Sequence, residues 1–145
     1  LLDLETPEQW PGESKDVIIA DVQNMPQIPT DSEDCIIAYW LLYYLSNHRS
    51  ALAEFRRVLK PNGVLLVNFI GDALKSNPRV LRRWNHIEAF EALEPFFEIE
   101  EAELYCEPRE IWTEGRFIVG GTTIGWKKLE LTFVCARKSF RRLGI

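Results

Sequence analysis

The apolar positions fall into short runs of two kinds. Cys35-Ile36-Ile37-Ala38 is a continuous run rich in β-branched residues, flanked by Asp31, Glu33 and Asp34. Such a run predicts a strand buried on both faces. After a polar break at Ser46-Asn47, Leu52, Phe55, Val58 and Leu59 recur at helical spacing, with Glu54, Arg56, Arg57 and Lys60 filling the other face. Pro61-Asn62-Gly63 stops that helix, because proline cannot continue it and Asn-Gly supplies a turn with positive φ. A second apolar run, Val64 to Ile70, follows directly. Strand, helix, turn and strand in that order form a βαβ unit, which requires a parallel sheet and a right-handed crossover.

The same spacing rules divide the rest of the chain. Leu1-Leu2-Asp3-Leu4-Glu5 reads as the end of a short strand closing on acids, and residues 6–15 as a loop broken by Pro7, Pro11 and Gly12. Asp16 to Asp21 is a second strand ending in an acid, and residues 24–33 form the loop into the Cys35 strand. Asn77-Pro78 reads as a helix start, with Val80, Leu81 and Trp84 on one face. His86 to Glu94 is a further amphipathic piece, with Ile87, Phe90 and Leu93 inward and Pro95 as its stop. Phe96 to Leu104 alternates as a strand with acids outward, and Leu129 to Lys138 is the last strand. Between them, Trp112 to Trp126 is interrupted by glycines and reads as a hairpin or an irregular flap. Gly120-Gly121-Thr122-Thr123 within it reads as a turn, its pattern being too loose for a phosphate loop.

The stretch from Asp34 to Gly63 resembles the central half of the class I S-adenosylmethionine-dependent methyltransferases. The family's acid, strand, "VLHHL"-like segment, helix and "RVLKPGG" turn stand here as Asp34, Cys35 to Ile37, Leu41 to Leu45, Ala51 to Arg56, and Arg57-Val58-Leu59-Lys60-Pro61-Asn62-Gly63. Residues 18–26 are similar to the family's third strand, and Ala136-Arg137-Lys138 to the end of its terminal strand. The resemblance covers residues 1–105 and 129–139. It implies an α/β, Rossmann-like sheet in one domain over residues 1–145, mostly parallel with an antiparallel last strand. Leu1 already matches strand two. The family's first strand, glycine-rich loop and helix therefore have no counterpart, and no G-x-G occurs in the chain. With the family's sheet order of 3-2-1-4-5-7-6, ladder edges on strands two and four would stand open. A homodimer or a partner chain covering those edges follows as an expectation.

The resemblance also implies a cofactor and a site. S-adenosylmethionine would lie at the carboxyl ends of the strands. Asp3 matches the acid that grips both ribose hydroxyls, since one carboxylate can accept from a vicinal diol, with Leu4 beside it and Glu5 as the fallback. Asp21 and the Val22 backbone fall on the adenine side, and Ala38 and Tyr39 on the pocket wall with Trp40 next. Each has a plain alternative: Asp3 and Asp21 as turn formers or caps, Tyr39, Trp40, Tyr43 and Tyr44 as core packing. Tyr43 and Tyr44 replace the family's frequent His-His, which removes an obvious base, because an ordinary tyrosine titrates near pH 10. His86 and Tyr44 are then the acid/base candidates, His86 also being a plain helix-start or solvent contact.

Composition narrows the partners. The chain has 145 residues and a formal net charge of -5, which argues against a phosphate backbone as ligand. The basic cluster Arg137, Lys138, Arg141 and Arg142 reads as a solvated strand end. No apolar run is long enough for a membrane span. Three cysteines at wide spacing, with Cys35 and Cys135 inside apolar runs, suggest buried thiols and a cytoplasmic setting, with no metal site. Two function classes stay open: methyl transfer to a small-molecule acceptor, and a catalytically inactive methyltransferase-like binding or scaffold domain. A dinucleotide oxidoreductase ranks below both, since its fingerprint is also a glycine-rich loop.

Overall fold

A computed structural model describes residues 2–3, 18–71, 78–107, 117–119, 122–124 and 129–138. Strand β1 (Leu2–Asp3) pairs in parallel with β2 (Ile18–Ile19), placing Asp3 beside Ile19. The main sheet has four strands in the order β3 (Glu33–Ala38), β4 (Leu59–Ile70), β8 (Leu129–Lys138), β5 (Phe97–Glu107). β3 and β4 are parallel, while β8 runs antiparallel to both β4 and β5. Three strands thus share a direction and the last strand in sequence is inserted against them, as the resemblance implies. Phe117–Val119 (β6) and Thr122–Ile124 (β7) form a hairpin with Val119 opposite Thr122. Leu4, residues 6–15, Asn77, Trp112, Trp126, Arg141 and Arg142 lie outside the described residues.

The crossover between β3 and β4 is α1 (His48–Val58). Ala51, Leu52, Phe55 and Val58 are its buried residues, and this single stripe covers the sheet. Asn47 caps it, its side chain accepting from the Ser50 N–H at 3.1 Å. The helix ends at Val58 and Leu59 is already extended, so the Pro61-Asn62-Gly63 turn falls inside β4. There Asn62 takes a positive φ of 64°, and the pairing with β3 slips between Glu33 and Cys35. Arg57 of this turn motif is a tie. Its guanidinium donates to the carbonyls of Met25 and Ile28 at 2.8 and 2.9 Å and to both oxygens of Glu54. Glu54 in turn accepts the Met25 N–H at 2.7 Å. The loop between β2 and β3 is thereby stitched to α1, and the Arg57 hydrogen bond holds the Glu54 carboxyl below its ordinary range.

Three expectations are corrected. β3 is exposed rather than buried on both faces: Ile37 is 67% exposed and Cys35 is exposed, because β3 is the edge of the main sheet. Residues 78–84 are not helical. The N–H groups of Leu81 and Arg82 are taken by the Tyr43 carbonyl and that of Trp84 by the Ile70 carbonyl, so they cannot serve a helix. In α2 (His86–Leu93) the buried residues are Ala89 and Leu93, while Ile87 is exposed. The Asn85–Glu88 capping box fixes that rotation.

Candidate functional site

The carboxyl ends of β1, β2, β3 and β4 supply the candidate residues. Asp3 and the β2 exit are neighbours across the β1–β2 ladder, so Asp3 and Asp21 finish adjacent parallel strands. Asp21 opens a tight turn, accepting the Asn24 N–H at its carbonyl and the Gln23 N–H on its side chain, both at 2.9 Å. It is thus a turn former by geometry, with an exposed carboxylate. Gln23 links this turn to the next loop. Its amide nitrogen donates to Asp21, and its oxygen accepts from Ser46 Oγ at 3.2 Å and from the Asn47 N–H at 2.8 Å. The end of β2 is in this way coupled to the start of α1.

At the end of β3, Ala38 is buried, and Tyr39 and Trp40 are 41% and 51% exposed. They are therefore not core residues. Trp40 adopts φ 59°, a left-handed conformation that side chains other than glycine rarely hold. Its N–H is gripped by Oδ1 of Asn68, on β4, at 2.6 Å. Asn68 has no exposed surface, and its Nδ2 has no hydrogen-bond partner among the described residues. Because Trp40 N–H is a donor, the facing Asn68 atom must be oxygen, and the amide nitrogen is left as a buried, unpaired donor beside the turn. Tyr39 packs edge-on against Phe133 with ring centroids 5.7 Å apart.

A short 3-10 turn, Leu42–Tyr44, leads on from there. Tyr43 is buried and Tyr44 half-buried, their rings 4.2 Å apart. Burial, aided by the hydrogen bond with Tyr44, pushes the Tyr43 phenol far above its ordinary pKa, so it stays neutral. The strap of residues 80–84 hangs from Tyr43 and Ile70 across the rim. His48, at the start of α1, meets Trp84 edge-on at 4.7 Å. Its pKa is lowered by burial first, then by Arg82 and Arg49. His86 is exposed on the first turn of α2. Asn68, His48 and Arg82 escaped the sequence reading; the polar break at Ser46-Asn47 was the signal that could have led to His48. Among the described residues no group of His, Cys, Asp and Glu is set to hold a metal ion, and no helix is long and apolar enough to cross a membrane.

Residues 4–67 match the family model described as a methyltransferase domain. Over that stretch the chain is similar to methyltransferase domains. Solved structures agree in fold. A Bacillus halodurans protein assigned as a methyltransferase is 16% identical, with a TM-score of 0.66 over 84% of this chain and 71% of that one. The cyclase SpnF is 19% identical, with a TM-score of 0.61 over 85% of this chain and 55% of that one. The N-methyltransferase NodS of Bradyrhizobium japonicum, solved with S-adenosyl-L-homocysteine, is 16% identical, with a TM-score of 0.53 over 84% of this chain and 53% of that one. The chain thus spans little more than half the length of two of these three. No curated protein sequence matches it.

The resemblance to S-adenosylmethionine-dependent methyltransferases implies that cofactor, and the described residues suit such a molecule. The Asn68 Nδ2 donor is buried without a hydrogen-bond partner among the described residues. Ala38 is small at the strand end, Tyr39 and Trp40 offer open aromatic faces, and Asp21 holds an exposed carboxylate. β3 and β4 are parallel, so Ala38, Tyr39 and Asn68 come near strand ends of one direction, while Asp21 follows β2 of the separate β1–β2 pair. His86 is exposed on α2.

Proposed function

We propose that the chain is the larger part of a methyltransferase that binds S-adenosylmethionine along this rim and passes its methyl group to a small-molecule acceptor. Asp3 takes the ribose hydroxyls with Leu4 beside it, Asp21 and the Val22 backbone face adenine, and Ala38 and Tyr39 wall the nucleoside. The unpaired Asn68 amide supplies one further donor. When bound, the cofactor supplies an electrophilic methyl group on a sulfonium centre. The protein's own part is to align an acceptor with it, since positioning contributes much of the rate in such a displacement. Exposed aromatic faces at Tyr39 and Trp40 add a weak attraction for a cation, on the order of 1 kcal/mol. His86 and Tyr44 remain the acid/base candidates carried from the sequence. The observation that carries this reading is the Trp40 turn, held in a left-handed backbone by a buried asparagine with a spare donor. Such strain clusters at ligand sites.

Calorimetric titration of the intact protein with S-adenosylhomocysteine tests it. Binding is expected, and Asp3→Ala should weaken it by about 2 kcal/mol. No heat from the unmodified protein at high ligand concentration would reject it. A second reading is favoured by the exposed β3 edge, where Ile37 is 67% exposed: a methyltransferase-like binding domain whose partner covers that edge. Its mark would be a stable complex formed without any affinity for S-adenosylhomocysteine.

A further inference from the structure

The two helices close their N-terminal ends differently. In α2, Asn85 caps the helix and Glu88, three residues on, accepts the Asn85 N–H in return at 3.0 Å. In α1, Asn47 caps and Ser50 holds that third position, but the acceptor for the Asn47 N–H comes from outside the helix. It is the side-chain oxygen of Gln23, in the turn after β2, at 2.8 Å. Ser46 Oγ donates to the same oxygen at 3.2 Å.

A backbone N–H can only donate, so the Gln23 atom facing Asn47 must be oxygen, and the amide nitrogen is turned the other way. It points at the Asp21 carboxylate, 3.2 Å from Oδ1 and 3.3 Å from Oδ2. The Gln23 backbone N–H also donates to Oδ1, at 2.9 Å. Among the described residues these are the contacts on the Asp21 carboxylate. Each carboxylate oxygen has about two lone-pair sites. Oδ1 is filled and Oδ2 keeps one open, on a side chain that is exposed. An untethered aspartate rotates its carboxylate broadly. Asp21 is braced by one half-buried glutamine, itself anchored to the head of α1, and so presents a single acceptor in one direction.

We propose that Gln23 is a positioning residue that makes this turn selective for a 6-amino purine, by aiming Asp21 Oδ2 at the exocyclic amine of the ring. The amine has an N–H to give. A 6-oxo purine brings an oxygen to the same place, where acceptor meets ionised acceptor. Naming the ring adenine rests on the reading that S-adenosylmethionine binds along this rim; assigning the choice of base to Gln23, acting through Asp21, goes beyond it.

The test is calorimetric titration of the intact protein with S-adenosylhomocysteine and with S-inosylhomocysteine, which carries oxygen in place of the amine. The unmodified protein should prefer the adenosyl ligand by about tenfold or more, as for one charge-assisted contact. Gln23→Met keeps the length of the side chain and removes both of its polar ends. Gln23→Glu keeps an acceptor for the Asn47 N–H, so the α1 cap survives, and removes the side-chain donor that braces Asp21. Each variant should lose about tenfold in affinity for the adenosyl ligand and change by less than about twofold for the inosyl one, so that the preference disappears. A preference kept in either variant would overturn the proposal, as would an unmodified protein that binds both ligands equally. Equal losses for the two ligands would also overturn it and leave Gln23 a structural tie. An unmodified protein that binds neither ligand rejects the cofactor reading and this proposal with it, an outcome read before any variant is made and so distinct from a failure of Gln23 alone.

Discussion

Replacing Asn68 by alanine separates stability from binding. Among the described residues the side chain makes one hydrogen bond, accepting the Trp40 N–H, and leaves Nδ2 buried and unpaired. Losing the bond removes about 1 kcal/mol, while removing the unpaired donor recovers about 1–3 kcal/mol of desolvation. The two nearly cancel, so Asn68→Ala should unfold within about 1 kcal/mol of the parent in urea. The turn behaves differently. Trp40 holds a left-handed backbone that costs roughly 1–2 kcal/mol, and without its anchor it relaxes. If the spare donor and the strained turn serve a ligand, affinity for S-adenosylhomocysteine falls about tenfold, the loss of roughly 1.4 kcal/mol. Calorimetry and urea melts on one preparation read both quantities. A stability loss above about 3 kcal/mol with unchanged affinity would refute the reasoning and make Asn68 a structural residue alone.

Arg57→Ala should cost about 2 kcal/mol, discounted for the partial exposure of the Arg57–Glu54 pair, and lower Tm by about 6 °C. Gly63→Ala should cost about 1–3 kcal/mol, since a Cβ there would meet the Lys60 carbonyl oxygen at 2.9 Å and Leu59 Cδ2 at 3.0 Å. His48 makes stability depend on pH. Its folded pKa is below the ordinary 6.5, so the unfolded chain takes up a proton first. Stability is then full above that value and declines as pH falls through it, and His48→Gln should flatten the slope in urea melts at matched pH.

The elements that local pattern dictates were legible. The α1 stripe, the β4 run and the β8 run follow from spacing, the antiparallel direction of β8 was implied by the resemblance, and the turn after α1 carries the family likeness. What the sequence hid depends on distant bonds. Arg57 belongs to a recognisable motif, but its partners Met25 and Ile28 lie far back in the chain. The strap at 80–84 has helical spacing, yet its N–H groups are claimed by Tyr43 and Ile70. β3 looks like a core strand in composition and is exposed only because of its place at the sheet edge. Of the proposed site, the strand-end acids and the Tyr39 wall were expected from the resemblance. Asn68 was not, because a lone asparagine in an apolar strand gives no sign of which turn it will hold.

The direct measurement is a nitrogen-edited NMR titration of the intact protein with S-adenosylhomocysteine. The account requires the Asn68 side-chain amide, the Trp40 backbone amide and the Val22 amide to shift together along one saturation curve. Binding that leaves all three unmoved, or moves only residues remote from these strand ends, would contradict it.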